Sequence, residues 1–241
     1  MLLNLHNVYA GYEGGDVLKG IDLRVEQGTT TCIVGPNGAG KSTVLRVLSG
    51  LLRPRLGEIS FDGRSIGGLA PRQILALGIV QVPQSHSLFP GMTVQQNVRL
   101  GAYMLNDKAL VEGRLREIEA MFPIVKTRAG DKAGNLSGGQ QRLVEFARCL
   151  MLDPRLILLD EPSMGLDPRT FKQVIDTIKM MQSSGRTIVL VEQNARTGLS
   201  LADNGVVLES GRVRLEGPHT EILNNPEIGR LYLGGTLSNA S

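Results

Sequence analysis

The residues best suited to chemistry in this chain form an ordered series. Gly35, Pro36, Asn37, Gly38, Ala39, Gly40, Lys41 and Ser42 fit G-x-x-x-x-G-K-[ST], the phosphate-loop pattern. Glycines in such a loop let backbone N–H groups converge on phosphate oxygens. The helix expected after Lys41, with Thr43 in its first turn, aims its positive dipole end at the same charges. Lys41 supplies a point charge for the β and γ phosphates of ATP, and the Ser42 hydroxyl is a ligand for Mg²⁺. Further along, Asp160 ends an apolar run, where a carboxylate is costly unless a cation faces it. Mg²⁺, through water, is its natural partner. Glu161 follows and is expected to project toward the γ-phosphate, where it can orient and deprotonate the attacking water. The plainer alternative is a helix-capping pair before Pro162.

Ser137, Gly138, Gly139 and Gln140 open a predicted helix and so make a second anion site. One nucleotide does not need two such cradles. Two copies packed head to tail would each sandwich ATP between one chain's residues 35–42 and the other's residues 137–140. On that reading a bulky side chain at Gly139 spares ATP binding by the single chain and blocks ATP-driven pairing. The alternative is an ordinary N-cap with glycines for close packing.

Positioning these groups requires an α/β framework. Residues 30–34 form a β-rich run into the glycine loop, and 44–48 are apolar and helix-compatible, the context that the phosphate-loop pattern demands. Residues 1–30 mix short β-like runs with turn residues such as Ala10-Gly11-Tyr12 and Glu13-Gly14-Gly15. Residues 57–62 and 78–82 read as strands, with Asp62-Gly63 as a turn. From about 85 to 153 the pattern is helical: Thr93 with Gln96, and Ser137 with Gln140, make capping boxes. Leu110, Leu115, Ile118 and Met121 lie near helical spacing. Strands and helices alternate again afterwards, with 157–159 and 188–191 typical of buried parallel strands. Asp167-Pro168 reads as an N-cap followed by Pro in the first turn.

The bulk properties exclude several classes. With 241 residues the chain suits one large domain or one with an insertion. A net charge of +3 without a Lys/Arg-rich run argues against nucleic acid as a partner. Cys32 and Cys149 show no metal-ligand spacing and are expected to be reduced and buried. The start of the chain lacks a signal-peptide pattern, and no apolar run is long enough to cross a bilayer, so any membrane role is expected to come from a partner.

The ordered set resembles the ATP-binding-cassette family over essentially the whole chain. The likeness implies an α/β fold: a P-loop NTPase (RecA-like) core with an N-terminal antiparallel β subdomain and an inserted α-helical subdomain. Residues 1–84 and 154–241 would form the nucleotide-binding core with its β subdomain, and 85–153 the helical subdomain. It further implies that residues 136–140 are the signature motif, that Asp167 lies in the D-loop, that Gln84 reaches Mg²⁺, and that Tyr12 stacks on adenine. Tyr12 as a core or surface residue is the alternative. Most members place a histidine after the strand at 188–191. Here Gln193 stands there, able to donate a hydrogen bond but not to carry charge. His6, His86 and His219 lie elsewhere. The resemblance therefore implies a γ-phosphate contact without its pH-sensitive part, and slower hydrolysis.

The segment Val191-Glu192-Gln193-Asn194 and an ending that includes Leu231-Tyr232-Leu233-Gly234 resemble the smaller ATPase subunit of bacterial branched-chain amino-acid importers. That likeness implies a second ATPase subunit, two membrane-spanning subunits, an external solute-binding protein and a place on the cytoplasmic face of the membrane. Rival readings are an ATPase for urea or short amides, a soluble cassette protein, and a binding module without catalysis. Leu88-Phe89-Pro90 puts large apolar residues in a predicted loop within 85–96. They are expected to line a groove for a short helix of a membrane subunit. The alternative is that Phe89 plugs the helical insertion's own core.

Overall fold

A computed structural model describes residues 1–85 and 87–233, without the side chains of 230–233. His86 and Gly234, and the side chains of Leu231, Tyr232 and Leu233, lie outside the described residues.

Near the N-terminus, Leu3–Tyr12 (β1) and Gly15–Val25 (β2) make an antiparallel hairpin. With Leu56–Phe61 (β4) and Arg64–Ser65 (β5) they form a sheet ordered β2-β1-β4-β5. The expected turn at Ala10-Gly11-Tyr12 is strand instead, and the chain reverses only at Glu13-Gly14. Register shifts near Val8 and Gly11 interrupt the alternation that would otherwise mark one long strand. The Asp62-Gly63 turn is present, with both residues at positive φ.

The second sheet runs Arg212–Pro218 (β10), Asn204–Glu209 (β9), Thr30–Val34 (β3), Thr187–Glu192 (β8), Leu156–Asp160 (β7), Ile79–Val82 (β6). All neighbours are parallel except the β9–β10 edge hairpin. Its central strands are buried on both faces, so they lack polar alternation. In β7, Ile157 and Leu159 join one core cluster while Leu156 and Leu158 join the other. β8 divides likewise, Ile188 and Leu190 against Val189 and Val191.

One face packs on Lys41–Leu48 (α1) and the antiparallel sheet. The other packs on a helical layer: Val94–Leu100 (α3), Lys108–Met121 (α4), Pro123–Thr127 (α5), Gly138–Leu150 (α6) and Pro168–Ser183 (α7). A short helix, Pro71–Ala76 (α2), precedes β6 and was not anticipated. Thr93 and Ser137 form the expected capping boxes, and Asp167 caps α7 with Pro168 at its first position. In α4, Leu115 and Ile118 are buried but Leu110 and Met121 are exposed, and Phe122 fills the core in their place. Three further helices, Ala195–Leu199 (α8), His219–Asn224 (α9) and Pro226–Leu233 (α10), complete the described chain.

Candidate nucleotide site

Four neighbouring parallel strands, β3, β8, β7 and β6, end on the same edge of the sheet. Their ends deliver, in that order, the glycine loop, Glu192-Gln193, Asp160-Glu161 and Pro83-Gln84. Ligands of open parallel sheets bind outside these carboxyl ends. A cleft of about 380 Å³ lies there, lined by Asn37, Gly38, Gly40, Lys41, Ser42 and Thr43 on one side. Gln84, Glu161, Met164 and Gln193 line the other, with Val17 at the margin. Gly35 and Pro36 start the loop and Ala39 is buried beneath it. Gly40, the N-cap of α1, has φ 106°, a backbone that glycine alone adopts freely.

The ionisable groups are packed tightly. Lys41 is 5% exposed, and its ammonium donates to the carbonyls of Gly35 (2.8 Å) and Pro36 (3.2 Å). Burial lowers its pKa, opposed by the carboxylates of Glu161, Asp160 and Glu192. The Ser42 hydroxyl donates to Asp160 Oδ1 at 3.1 Å. Burial raises the Asp160 carboxyl, and the Ser42 bond works against that rise. A hydroxyl and a buried carboxylate side by side suit Mg²⁺, which takes one or two protein oxygens and keeps several waters. Gln84 is turned to a different partner: its amide nitrogen donates to Glu161 Oε2 at 2.7 Å.

Glu161 is 7% exposed and sits at φ 45°, in the left-handed region. For a side-chain-bearing residue that costs about 1–2 kcal/mol and persists only where the surroundings hold it. Its N–H donates to Val191 O at 2.9 Å, and its Oε1 lies 3.9 Å from Lys41 Nζ.

The other predicted residues lie apart from this cleft. Ser137 and Gln140 line a separate cavity with Asp167 and Thr170, and the two linings share no residue. Gly138 is the first residue of α6 beside them. A Cβ on Gly139 would stand 2.2–2.8 Å from Thr170 side-chain atoms. The glycine therefore serves α6–α7 packing within the chain, and a bulky residue there would disturb that packing. Tyr12, 46% exposed, lies outside the cleft lining and accepts a hydrogen bond from Arg46 at 2.7 Å. Phe89 is exposed and lines a groove of about 360 Å³ with Leu100 and Tyr103, so it does not plug the helical core. Leu88 does pack against that core.

One constellation escaped the sequence reading. Arg142 and Glu145 of α6, 3% and 1% exposed, form an ion pair at 2.9 Å. Arg142 also donates to the carbonyls of Pro83 (2.7 Å) and Gln84 (2.8 Å), while Glu145 accepts from Ser87 and Arg148 donates to Ser87 O (2.8 Å). α6 thus grips the backbone at Pro83, Gln84 and Ser87. The available signal was two opposite charges on the helix face that also carries Cys149.

A Gly-rich loop between strand and helix, with an Asp-Glu pair at the end of the strand next but one in the sheet, is the core of a nucleotide-hydrolysing enzyme. A family model described as ABC transporter matches residues 18–164. The chain belongs to the ABC transporter family and is an ATP-hydrolysing cassette. It is 36% identical, over 97% of its length and all of the relative's, to the "High-affinity branched-chain amino acid transport ATP-binding protein BraG" of Pseudomonas aeruginosa. It superposes on the ADP conformation of MJ1267, an ATP-binding cassette of an ABC transporter, with TM-score 0.87, 28% identity and coverage of 97% and 98%. It also resembles the dimeric post-hydrolysis structure of the cassette MJ0796 bound to ADP and Pi, with TM-score 0.80, 28% identity and coverage of 90% and 99%. Among the described residues no helix is long and apolar enough to cross a membrane.

Proposed function

We propose that this cassette powers import of branched-chain amino acids from the cytoplasmic face of a membrane. The observation that carries the hydrolytic part is the convergence of Lys41, Ser42, Asp160, Glu161 and Gln193 at adjoining strand ends. Residues 35–43 hold the phosphates, and Lys41 exchanges the carbonyls of Gly35 and Pro36 for phosphate oxygens. Ser42 and Asp160, with Gln84 nearby, would hold Mg²⁺, which draws negative charge off the β and γ phosphates. Glu161 takes a proton from the water that attacks the γ-phosphorus, the bond to the β-phosphate oxygen breaks, and ADP and phosphate leave. Gln193 donates to a γ-phosphate oxygen, and Tyr12 packs on the adenine.

Two cassettes, identical or related, would close head to tail so that Ser137, Gly138, Gly139 and Gln140 complete the partner's site. Support comes from the separation of that helix start from the cleft within one chain, and from the dimeric form of one structural relative. The exposed groove at Phe89 would receive a short helix from each of two membrane-spanning subunits, with an external binding protein supplying solute. Likeness to a protein named for branched-chain amino-acid transport supports the choice of cargo.

Reconstitution in liposomes with the membrane proteins that co-purify with the chain tests this reading. Labelled leucine should accumulate only with ATP on the cassette side, and Phe89→Ala should stop uptake while sparing the isolated chain's ATP hydrolysis. Uptake of urea or acetamide instead of leucine would replace the cargo assignment. Failure of any membrane protein to co-purify would favour a soluble cassette.

A further inference from the structure

Glu192 takes no part in the reaction just described, yet it is 3% exposed at the end of β8 beside the cleft. A buried carboxylate needs hydrogen-bond donors to offset its lost hydration. Glu192 Oε1 accepts from the backbone N–H of Ser163 at 3.2 Å. Burial pushes its carboxyl up, hydrogen bonding from the Ser163 hydroxyl and N–H opposes that push, and the nearby Glu161 carboxylate adds to it. The fold makes room for it: a Cβ on Gly198 of α8 would stand 2.8 Å from Glu192 Cβ.

Its partners give this carboxylate a role. Ser163 belongs to the turn that begins at Glu161, where Met164 N–H closes back on Glu161 O at 3.2 Å. Glu161 itself sits in a left-handed backbone that needs to be held. Two ties reach this turn from β8: Val191 O on the N–H of Glu161, and the Glu192 carboxylate on the N–H of Ser163. One side chain therefore fastens the turn that presents the water-activating group to the end of β8.

We propose that Glu192 is a positioning residue for hydrolysis, holding the Glu161 turn against the end of β8 in its reactive position. This rests on Glu161 being the base. Glu192→Ala frees the turn without touching nucleotide, so kcat should fall by about 10- to 100-fold, the scale of a misplacement near 1 Å. KM and the Kd for ATP should stay within about threefold of wild type, since displacement of the base leaves substrate binding untouched. Glu192→Gln keeps one acceptor oxygen but turns an NH₂ group toward the second donor. Its kcat should lie between wild type and Glu192→Ala, and it serves as the deciding variant should alanine not fold.

Wild-type kcat in the glutamine variant and in any folded alanine variant would overturn the proposal. So would parallel losses of kcat, ATP affinity and melting temperature, which mark a purely structural residue. Glu161→Gln measured alongside separates the two readings, because undiminished turnover there removes Glu161 as base whatever Glu192 does. If Glu161 is the base, Glu161→Gln/Glu192→Ala should be no slower than Glu161→Gln alone. A further full-sized drop would show that Glu192 acts elsewhere.

Discussion

The strand-end cleft and the start of α6, the two regions proposed to meet phosphate, are built differently. In the cleft, charged groups are buried, pKa values are displaced and the backbone of Glu161 is strained. At the start of α6, Ser137 and Gln140 satisfy each other in a capping box at the surface. Strain and buried charge cost stability and are retained where a reaction uses them. A relaxed, self-capped helix start is instead suited to an anion that arrives from outside. The difference agrees with the roles proposed above, bond-breaking for one region and recognition for the other.

The sharpest way to break this comparison is Glu161→Gln. Removing a general base costs about 10²- to 10⁴-fold in turnover, and ATP affinity should be unchanged because no phosphate contact is lost. Phosphate release measured beside equilibrium ATP binding checks both halves. Full turnover would remove Glu161 as the base.

At α6 the expected effects separate recognition from packing. Ser137→Asp keeps an equally good N-cap, so the melting temperature should hold. Its added charge should repel a partner's nucleotide and abolish ATP-driven dimerisation in size-exclusion runs. Gly139→Leu should do the reverse of a surface change. Overpacking against Thr170 costs about 1–3 kcal/mol, a loss of roughly 2–4 °C per kcal/mol for a chain of this size. An unshifted melting temperature would mean that α6 and α7 separate freely there.

The smallest effect is a pH dependence of stability. Burial raises the Glu192 carboxyl above its ordinary 4.5 in the fold. The folded state then binds more protons than the unfolded one between 4.5 and the raised value. Stability from this group is present below 4.5 and is lost as pH rises through that window. Glu192→Gln never ionises, so it should melt above wild type at neutral pH, and the gap should close as pH falls toward 4.5. A constant gap across that range would assign the difference to packing.

Much of this was legible in the sequence, for stated reasons. The parallel strands showed as apolar runs, and Asp160 stood out as a carboxylate ending one of them. Glu192 ends β8 in the same way and could have been found by the same rule. Val17 and Met164 escaped because apolar residues at a cleft margin look like any others. The Arg142–Glu145 grip on Pro83, Gln84 and Ser87 depends on where a helix settles against a loop far away in the chain, which local pattern does not encode. The β9–β10 hairpin turns at Ser210-Gly211, both at positive φ, a signal present in the sequence but not used. Leu110 and Met121 misled because near-helical spacing alone does not fix which face is buried.

The grip of α6 on Pro83, Gln84 and Ser87 has a mechanical meaning. The helix is a rod of 13 residues, about 20 Å long. Ser137 caps one end of it, and Arg142, Glu145 and Arg148 clasp the strand-end loop along its length. Rods transmit displacement, so a pull on the cap must carry the backbone of Gln84 along or break buried charged bonds. Such a lever makes the two proposed anion sites of one chain share a coordinate. Whatever free energy an anion at the cap contributes to moving that coordinate, a nucleotide in the cleft must return in equal measure.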